Sequence, residues 1–127
     1  KGPLGGIYTG LVASESLASL VVACDMPFLN IELIRYMIRL SPGFDAIVPR
    51  LERAEPLHAV YSKSSLDAMR SCIEHNQLGV SRFLNTVHTR YVEQAECQRF
   101  DPQLLSFFNT NSQEDLDHAI NLAEEGW

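Results

Sequence analysis

Residues 19–27 read SLVVACDMP, a short apolar run that ends on an acid and then on a proline. Residues 20–24 are continuously hydrophobic and include β-branched valines, as in a parallel strand that helices cover on both faces. Asp25 follows where such a strand leaves the core. In open α/β sheets ligands bind beyond the carboxyl ends of the strands, and a carboxylate there can hold a divalent cation that binds phosphates. The stretch therefore predicts an α/β fold whose ligand site lies around Asp25.

A structural interpretation of Asp25 stays open beside the chemical one. An aspartate after a strand is often a turn former or a helix cap, because its short side chain accepts hydrogen bonds from nearby backbone amides. Pro27 ends the strand under either interpretation.

Composition and charge limit the classes of function. The chain has 127 residues, of which 46% are hydrophobic, so it can bury the core of one globular domain. No apolar run approaches the ~20 residues that a membrane helix needs. The net charge of −6 disfavours nucleic-acid binding, which requires a basic surface. We therefore expect neither a membrane nor a nucleic acid as a partner.

The three cysteines, Cys24, Cys72 and Cys97, are odd in number and widely spaced. This pattern fits neither a disulfide framework nor a zinc site. It is typical of reduced thiols, and we expect a cytoplasmic protein. Cys24 lies inside the apolar run, where we expect a small core residue and not a nucleophile.

Glycines are concentrated in the first ten residues, KGPLGGIYTG. Gly2, Gly5 and Gly6 allow unusual backbone conformations and a close approach of a ligand. A helix is predicted over residues 6–15, with Ile7, Leu11 and Val12 on one side, and the amides at its start could face a polar or negative group. The alternative is a loop that only leads into the helix, since no Walker loop or dinucleotide fingerprint is present.

The remaining chain alternates strands with helices. Asn30 is the predicted cap of a helix that ends at residues 41–43 and has an apolar face of Ile31, Leu33, Ile34, Met37 and Ile38. Further strands are predicted at 45–49, 56–61 and 89–92, and helices at 67–77, 81–85, 102–107 and from the capping box at 112–115 to about 125. The pattern predicts an α/β fold in a single domain, residues 1–127.

Five motifs follow one another along the chain: GPLGGIYTGL from residue 2, VVACDMPFLN from 21, AIVPR from 46, EPLHAVY from 55 and FFNTNSQEDL from 107. In this order they resemble the molybdenum cofactor guanylyltransferases, or molybdopterin-guanine dinucleotide synthases, over nearly the whole chain. The resemblance implies a Rossmann-like nucleotidyltransferase fold with a mixed, mostly parallel sheet and flanking helices. It also implies Mg²⁺-dependent transfer of GMP from GTP to molybdopterin, with release of pyrophosphate.

The resemblance implies roles for individual residues. Asp25 matches the family's metal-binding and catalytic acid. Gly2 and Gly6 match glycines that approach the guanine nucleotide, and the backbone near Gly5 would help to fix the base.

The resemblance also bears on Asn109, Asn111, Arg82 and His58. Asn109 and Asn111 match a pair of asparagines on the molybdopterin side, although turn and capping roles before a helix are an equal alternative. Arg82 would supply the basic residue that the family carries after a glycine. His58, within EPLHAVY, is either a site-lining residue or a core histidine with satisfied hydrogen bonds, and the latter is favoured.

The chain departs from the family at one point. The family's glycine-rich loop, of the LAGGxSxRMGxDK type, holds the triphosphate and does not occur in these 127 residues. The expectation is an N-terminally truncated domain, the C-terminal part of a nucleotidyltransferase, that is inactive by itself.

Three functions remain open at the level of sequence. The first is the guanylyltransferase, with GTP and molybdopterin as substrates and with molybdoenzymes or other cofactor-biosynthesis proteins as partners. The second is a cytidylyltransferase or another nucleotidyltransferase of the same fold. The third, from a different class, is a non-catalytic module that binds molybdopterin, which the missing triphosphate loop favours.

Overall fold

Four strands form a mixed sheet in the order β1-β3-β2-β4. The computed structural model describes residues 2–22, 28–77 and 79–107. The strands are β1 (Ala18–Val22), β2 (Ala46–Arg50), β3 (His58–Ser62) and β4 (Thr89–Glu93). β3 is antiparallel to β1 and β2, whereas β2 and β4 are parallel. The predicted mixed α/β fold is confirmed, with three strands in one direction and β3 against them.

The strand directions define two ends of the sheet. β1, β2 and β4 end at Val22, Arg50 and Glu93, and β3 begins at His58 beside them. We call this end the carboxyl edge, and the end where β1, β2 and β4 begin the opposite edge.

β1 differs from its prediction. The run at 20–24 was expected to form a strand covered on both faces, but β1 begins at Ala18 and pairs only with β3 among the described strands. Its residues are therefore only partly buried, and Val22 is 38% exposed. The strands buried on both faces are β2 and β3, because they lie in the middle of the sheet. Residues 23–27, with Cys24 and Asp25, lie outside the described residues.

Helices cover the two faces of the sheet. The first face carries α1 (Gly2–Ala13), α3 (Leu66–Glu74) and α4 (Val80–Leu84), packed on side chains such as Val48 and Tyr61. The second face carries α2 (Ile31–Leu40), α5 (Gln94–Gln98) and a 3₁₀ turn, Leu105–Phe107, packed around Ile47 and Val60. No helix in these described ranges has both the length and the apolar content to cross a membrane.

α1 begins at Gly2, four residues before the predicted start. Leu4, Ile7 and Leu11 are buried in the core at a helical spacing, so this stripe sets the packed side. Val12 was expected on that side but is 52% exposed. Since α1 leads through residues 14–17 to the start of β1, it runs from the carboxyl edge towards the opposite edge.

α2 begins where the sequence predicts. The Asn30 side chain accepts a hydrogen bond from the Leu33 amide at 2.9 Å, which confirms the cap. Its amide nitrogen also donates to the Phe100 carbonyl at 2.8 Å, which ties the helix start to a distant segment. The predicted apolar face is wrong at Ile31 and Ile38, which are 57% and 47% exposed, because only the stripe of Leu33, Ile34 and Met37 faces the sheet.

Cys72 and Cys97 are free and buried, as expected for structural thiols. Burial raises the pKa of the Cys97 thiol to about 12, which keeps it protonated and unreactive near neutral pH.

Within the described residues one side of β1 has no neighbouring strand, and this generates a prediction about self-association. An exposed strand edge pairs readily with another chain, and a lysine on the edge opposes such pairing. Val22→Lys should therefore lower the concentration-dependent association of the 127-residue chain, measured by sedimentation velocity over a dilution series. Val12→Lys is the matched control, since Val12 is also an exposed valine but lies on α1. Equal effects of the two substitutions would contradict edge pairing.

Candidate functional site

The chain crosses from the first face of the sheet to the second at the carboxyl edge. α1 lies on the first face and α2 on the second, and the chain passes between them through β1 and residues 23–30. Asp25 follows Val22, the last residue of β1, by three residues in the sequence and lies outside the described residues.

The predicted glycines lie at the start of α1, on the first face of the sheet. An α-helix leaves the N–H groups of its N-cap and of its first three residues without intrahelical partners, and proline has no N–H group, so Gly2 and Leu4 carry such amides here. Gly6 is already in the second turn, where its amide is used by the helix. A Cβ added at Gly6 would meet no atom within 4 Å, so the protein itself leaves open space at this position.

Arg82 lies on α4, also on the first face, and its side chain is exposed. It makes no ion pair with the described part of the chain. Arg50 and Arg90, by contrast, are engaged: Arg50 binds Glu93 through two nitrogens, and Arg90 binds both oxygens of Glu96 at 2.9 and 2.8 Å. Arg82 is thus more available to an anionic ligand than either of these two arginines.

The ion pairs around α5 have a structural role. The Tyr36 hydroxyl donates to Glu96 at 2.5 Å, and Arg90 together with this hydrogen bond lowers the pKa of Glu96 to about 2. Glu96 also accepts from the Glu93 amide and so closes a capping box at the start of α5. The sequence does not predict α5, because five residues are too few to show a helical period.

On the second face, a tight turn precedes the predicted asparagine pair. Asp101 is buried, and its carboxylate accepts hydrogen bonds from the amides of Leu105 at 3.1 Å and Ser106 at 2.9 Å. Leu104 has a φ of 55°, a left-handed conformation that is strained for a leucine. Strained backbone of this kind persists only where the surroundings hold it, often at functional sites. The sequence predicted a helical turn here but gave no sign of the strain.

His58 begins β3 at the carboxyl edge, opposite Val22. Its ring is fully buried and meets the Phe107 ring edge-on, with centroids 4.8 Å apart. Neither ring nitrogen has a hydrogen-bond partner among the described residues, and the same holds for Ser106 Oγ. A buried polar group without a partner costs ~1–3 kcal/mol. The expected burial of His58 in the core is therefore present, and the hydrogen-bond partners of its ring lie outside the described residues' own contacts.

A cavity of about 390 Å³ lies between the first turn of α2 and residues 100–105. It opens beside the hydrogen bond from Asn30 to Phe100 and is bordered by Asp101. Asn109 and Asn111 follow this segment but lie outside the described residues.

Glu55 lies in the loop between β2 and β3, and burial raises the pKa of its carboxyl group.

The structure thus places Gly2, Gly5, Gly6 and Arg82 on one face, and the segment that leads to Asn109 and Asn111 on the other. The unpaired amides at the start of α1 and the exposed Arg82 are groups of the kind that bind anions, and the cavity beside residues 100–105 offers space for a second group.

Comparison with known proteins identifies the family. Residues 1–94 match the family model described as a MobA-like NTP transferase domain. The chain belongs to this family. The resemblance read from the five motifs is therefore confirmed.

Relatives in the family carry related names. A protein of Methanosarcina mazei, named "Probable molybdenum cofactor guanylyltransferase", is 41% identical over 98% of this chain and 57% of its own length. A protein of the same name from Peptoclostridium acidaminophilum is 35% identical over 98% of this chain and 60% of its own. The chain thus spans less than two thirds of the length of these relatives.

Solved structures share the fold. The molybdopterin-guanine dinucleotide biosynthesis protein A from Archaeoglobus fulgidus matches with a TM-score of 0.83 and 28% identity, covering 98% of this chain and 64% of its own. A protein from Aquifex aeolicus matches with a TM-score of 0.72 at 23% identity, which supports the fold alone.

The buried His58 generates a prediction about pH. Burial lowers its pKa from 6.5 to about 4, so the folded state resists protonation more than the unfolded state does. Above about pH 6.5 this difference in pKa does not affect the free energy of unfolding. As pH falls from 6.5 towards 4, it lowers the free energy of unfolding by up to ~3 kcal/mol. His58→Gln should lose less stability than the wild type between pH 7.5 and 4.5, measured by urea unfolding. Parallel pH profiles of the two proteins would contradict the burial of a neutral ring.

Because a side chain at Gly6 would meet no protein atom, a substitution there can distinguish an effect on folding from an effect on ligand binding. Gly6→Ala should stabilise the fold by ~0.5–1 kcal/mol, because alanine is the better helix former and nothing obstructs its Cβ. If a nucleotide approaches the backbone there, the same methyl group should weaken GTP binding severalfold, measured by calorimetry on the complete gene product. Gly10→Ala, with equal space one turn later, is the control and should stabilise without affecting GTP. Equal GTP affinity of both variants would exclude Gly6 from the nucleotide site.

Proposed function

We propose that the protein carrying this chain transfers GMP from GTP to the terminal phosphate of molybdopterin. A phosphate oxygen of molybdopterin would form a bond to the α-phosphorus of GTP while the bond between that phosphorus and the bridging oxygen breaks. Pyrophosphate would leave with the electron pair. The attacking group is already an anion, so the reaction needs positioning and charge stabilisation more than a general base.

The observation that carries this proposal is family membership over residues 1–94 together with the names of the relatives. The geometry is compatible with two substrates. Gly2, Gly5, Gly6 and Arg82 on the first face would receive the guanine nucleotide, and Asn109 and Asn111, after the second-face turn, would receive molybdopterin. Asp25, in the crossing segment, would lie where the two phosphates meet.

Asp25 would hold Mg²⁺ as the catalytic carboxylate. No three His, Cys, Asp or Glu side chains are grouped to hold a metal within residues 2–22, 28–77 and 79–107. Mg²⁺ commonly takes one or two carboxylates and completes its shell with water and substrate phosphates, so the Asp25 carboxylate can serve as its protein ligand. When bound, the ion supplies positive charge that draws the two anions together.

The length of the chain bears on where the activity resides. We propose that residues 1–127 form the C-terminal part of a nucleotidyltransferase domain, and that a glycine-rich triphosphate loop outside them is required for turnover. We also propose a cytoplasmic location, with molybdoenzymes or other cofactor-biosynthesis proteins as receivers of the product. The acidic net charge disfavours nucleic acid as a binding partner.

The decisive experiment measures pyrophosphate release by the complete gene product with molybdopterin, Mg²⁺ and either GTP or CTP. We expect turnover with GTP and at least tenfold less with CTP. Turnover with CTP alone would identify a cytidylyltransferase. Tight molybdopterin binding without turnover on either nucleotide would identify a binding module.

Substitution of Asp25 tests its role. Asp25→Asn keeps the size of the side chain but removes its charge, so kcat should fall at least ~100-fold, as expected when charge stabilisation is lost at the reacting phosphates. Asp45→Asn is the matched control, because Asp45 lies just before β2 at the opposite edge and binds Ser64 and His88. We expect Asp45→Asn to lower the melting temperature modestly and to leave kcat unchanged. Similar losses of kcat in both variants would remove Asp25 from the catalytic site.

A further inference from the structure

Glu55 differs from the other acidic side chains that the described core shields from water. Within residues 2–22, 28–77 and 79–107, four acidic residues are buried or half-buried. The carboxylates of Asp45, Glu96 and Asp101 each accept two or more hydrogen bonds. The Glu55 carboxylate accepts none from these residues, and burial raises its pKa. Because a shielded charge is costly without a partner, Glu55 has a hydrogen-bonding capacity that the described protein leaves unused.

The backbone that carries Glu55 is tied to the sheet at the carboxyl edge. The Glu55 amide donates to the Pro49 carbonyl at 2.8 Å, and the Glu55 carbonyl accepts from the His58 amide at 3.2 Å. Beside it, Ala54 pairs with Arg50 in an isolated antiparallel bridge. These bonds fix the start of the side chain, so the carboxylate is presented from a rigid backbone.

Glu55 borders a cavity of about 380 Å³ on the second face of the sheet. Leu51 and Leu104 form apolar walls of this cavity, and both also pack against the core of the second face. The lining is completed by exposed polar residues, which are Glu52, Arg53 and Gln94. Apolar walls with a few hydrogen-bonding groups are typical of small-molecule sites, which have volumes of ~300–1,000 Å³.

The chemistry of a carboxylate selects the kind of group that it binds. An ionised carboxylate only accepts hydrogen bonds, and its two oxygens can accept a parallel pair. The complementary group on a small molecule is therefore a pair of neighbouring N–H donors. A ring N–H beside an amino group forms such a pair in an aminopyrimidinone ring, which occurs both in the pterin of molybdopterin and in the guanine of GTP.

The position of the cavity distinguishes between these two sources. The cavity lies on the second face, where the proposed function places molybdopterin. The start of α1 and Arg82, which are proposed to receive the guanine nucleotide, lie on the first face. The pterin is therefore the aminopyrimidinone ring that this cavity fits.

We propose that Glu55 is a specificity-determining residue for molybdopterin, whose pterin ring enters this cavity and donates its ring N–H and its 2-amino group to the Glu55 carboxylate. The inference rests on the proposed function and deepens it, because it assigns one side chain to one end of one substrate. GTP binding should not depend on Glu55.

Steady-state kinetics of the complete gene product test this assignment. Glu55→Gln keeps the size of the side chain but replaces one acceptor oxygen by an NH₂ donor, which would face a donor of the pterin. KM for molybdopterin should rise ~10–100-fold, the loss expected for hydrogen bonds to a charged group. KM for GTP and kcat should stay within about twofold of the wild type, because the contact is made equally in the ground state and the transition state.

The matched control is Glu15→Gln, which removes the same charge. Glu15 is exposed and lies between α1 and β1 at the opposite edge, so both KM values should be unchanged. The melting temperature of Glu55→Gln should not fall at neutral pH, because burial disfavours the ionised carboxylate in the folded state. An unchanged KM for molybdopterin overturns the proposal. A rise in KM for GTP alone overturns it as well and assigns Glu55 to guanine, and a rise of both KM values with a lower melting temperature shows a structural role.

A binding measurement separates the inference from the proposed function, because it requires no turnover. The probes are 6-hydroxymethylpterin and the matching lumazine, in which an oxygen replaces the 2-amino group, and binding is followed by their fluorescence. The wild-type gene product should bind the pterin at least ~10-fold more tightly than the lumazine, and Glu55→Gln should lose this preference.

Equal affinities for the two probes in the wild type overturn the inference even if GMP transfer is observed. So do the absence of pterin binding and a preference that Glu55→Gln retains. A Glu55-dependent preference in a protein that releases no pyrophosphate from either nucleotide would instead place the failure in the proposed function.

Discussion

The pairing of β1 with β3 is the constraint on which the other features depend. Five residues of each strand pair in antiparallel register, from Ala18 opposite Ser62 to Val22 opposite His58. This register brings the end of β1, which leads to Asp25, beside the start of β3. Because α1 packs on the first face and α2 on the second, the same strand end is where the chain changes faces. A shift of one residue would turn His58 away from Phe107 and towards α1.

Stability and the predicted function make opposing demands at this edge. The middle strands β2 and β3 bury four of their five residues each, so the centre of the sheet is well packed. At the carboxyl edge the sheet carries a buried histidine without a described partner, and the turn on the second face contains Leu104 with a φ of 55°. Such features lower stability unless other contacts offset them, and the Asp101 carboxylate and the Asn30 hydrogen bond to Phe100 are contacts of that kind. Their concentration beside the predicted site fits a fold that gives up some stability there.

The sequence predicted the α/β class, all four strands and the Asn30 cap, because these depend on local patterns of apolar residues and capping side chains. It misjudged β1, since an apolar run shows that a strand exists but not whether neighbours lie on both sides. It misjudged Val12, Ile31 and Ile38, because helical periodicity does not fix which of two adjacent stripes is packed. The family followed from motif order. The Asp101 turn and the isolation of His58 depend on contacts between distant residues, which no local pattern reports.

The central claim is that both substrates meet at the carboxyl edge, one from each face. Hydrogen–deuterium exchange of the complete gene product with Mg²⁺ and GTP, and separately with molybdopterin, tests it most directly. We predict that GTP protects amides at the start of α1 and that molybdopterin protects residues 100–107. Neither should protect residues 41–45 at the opposite edge. Protection at 41–45 by either substrate, with no change at the start of α1 or at 100–107, would contradict the account.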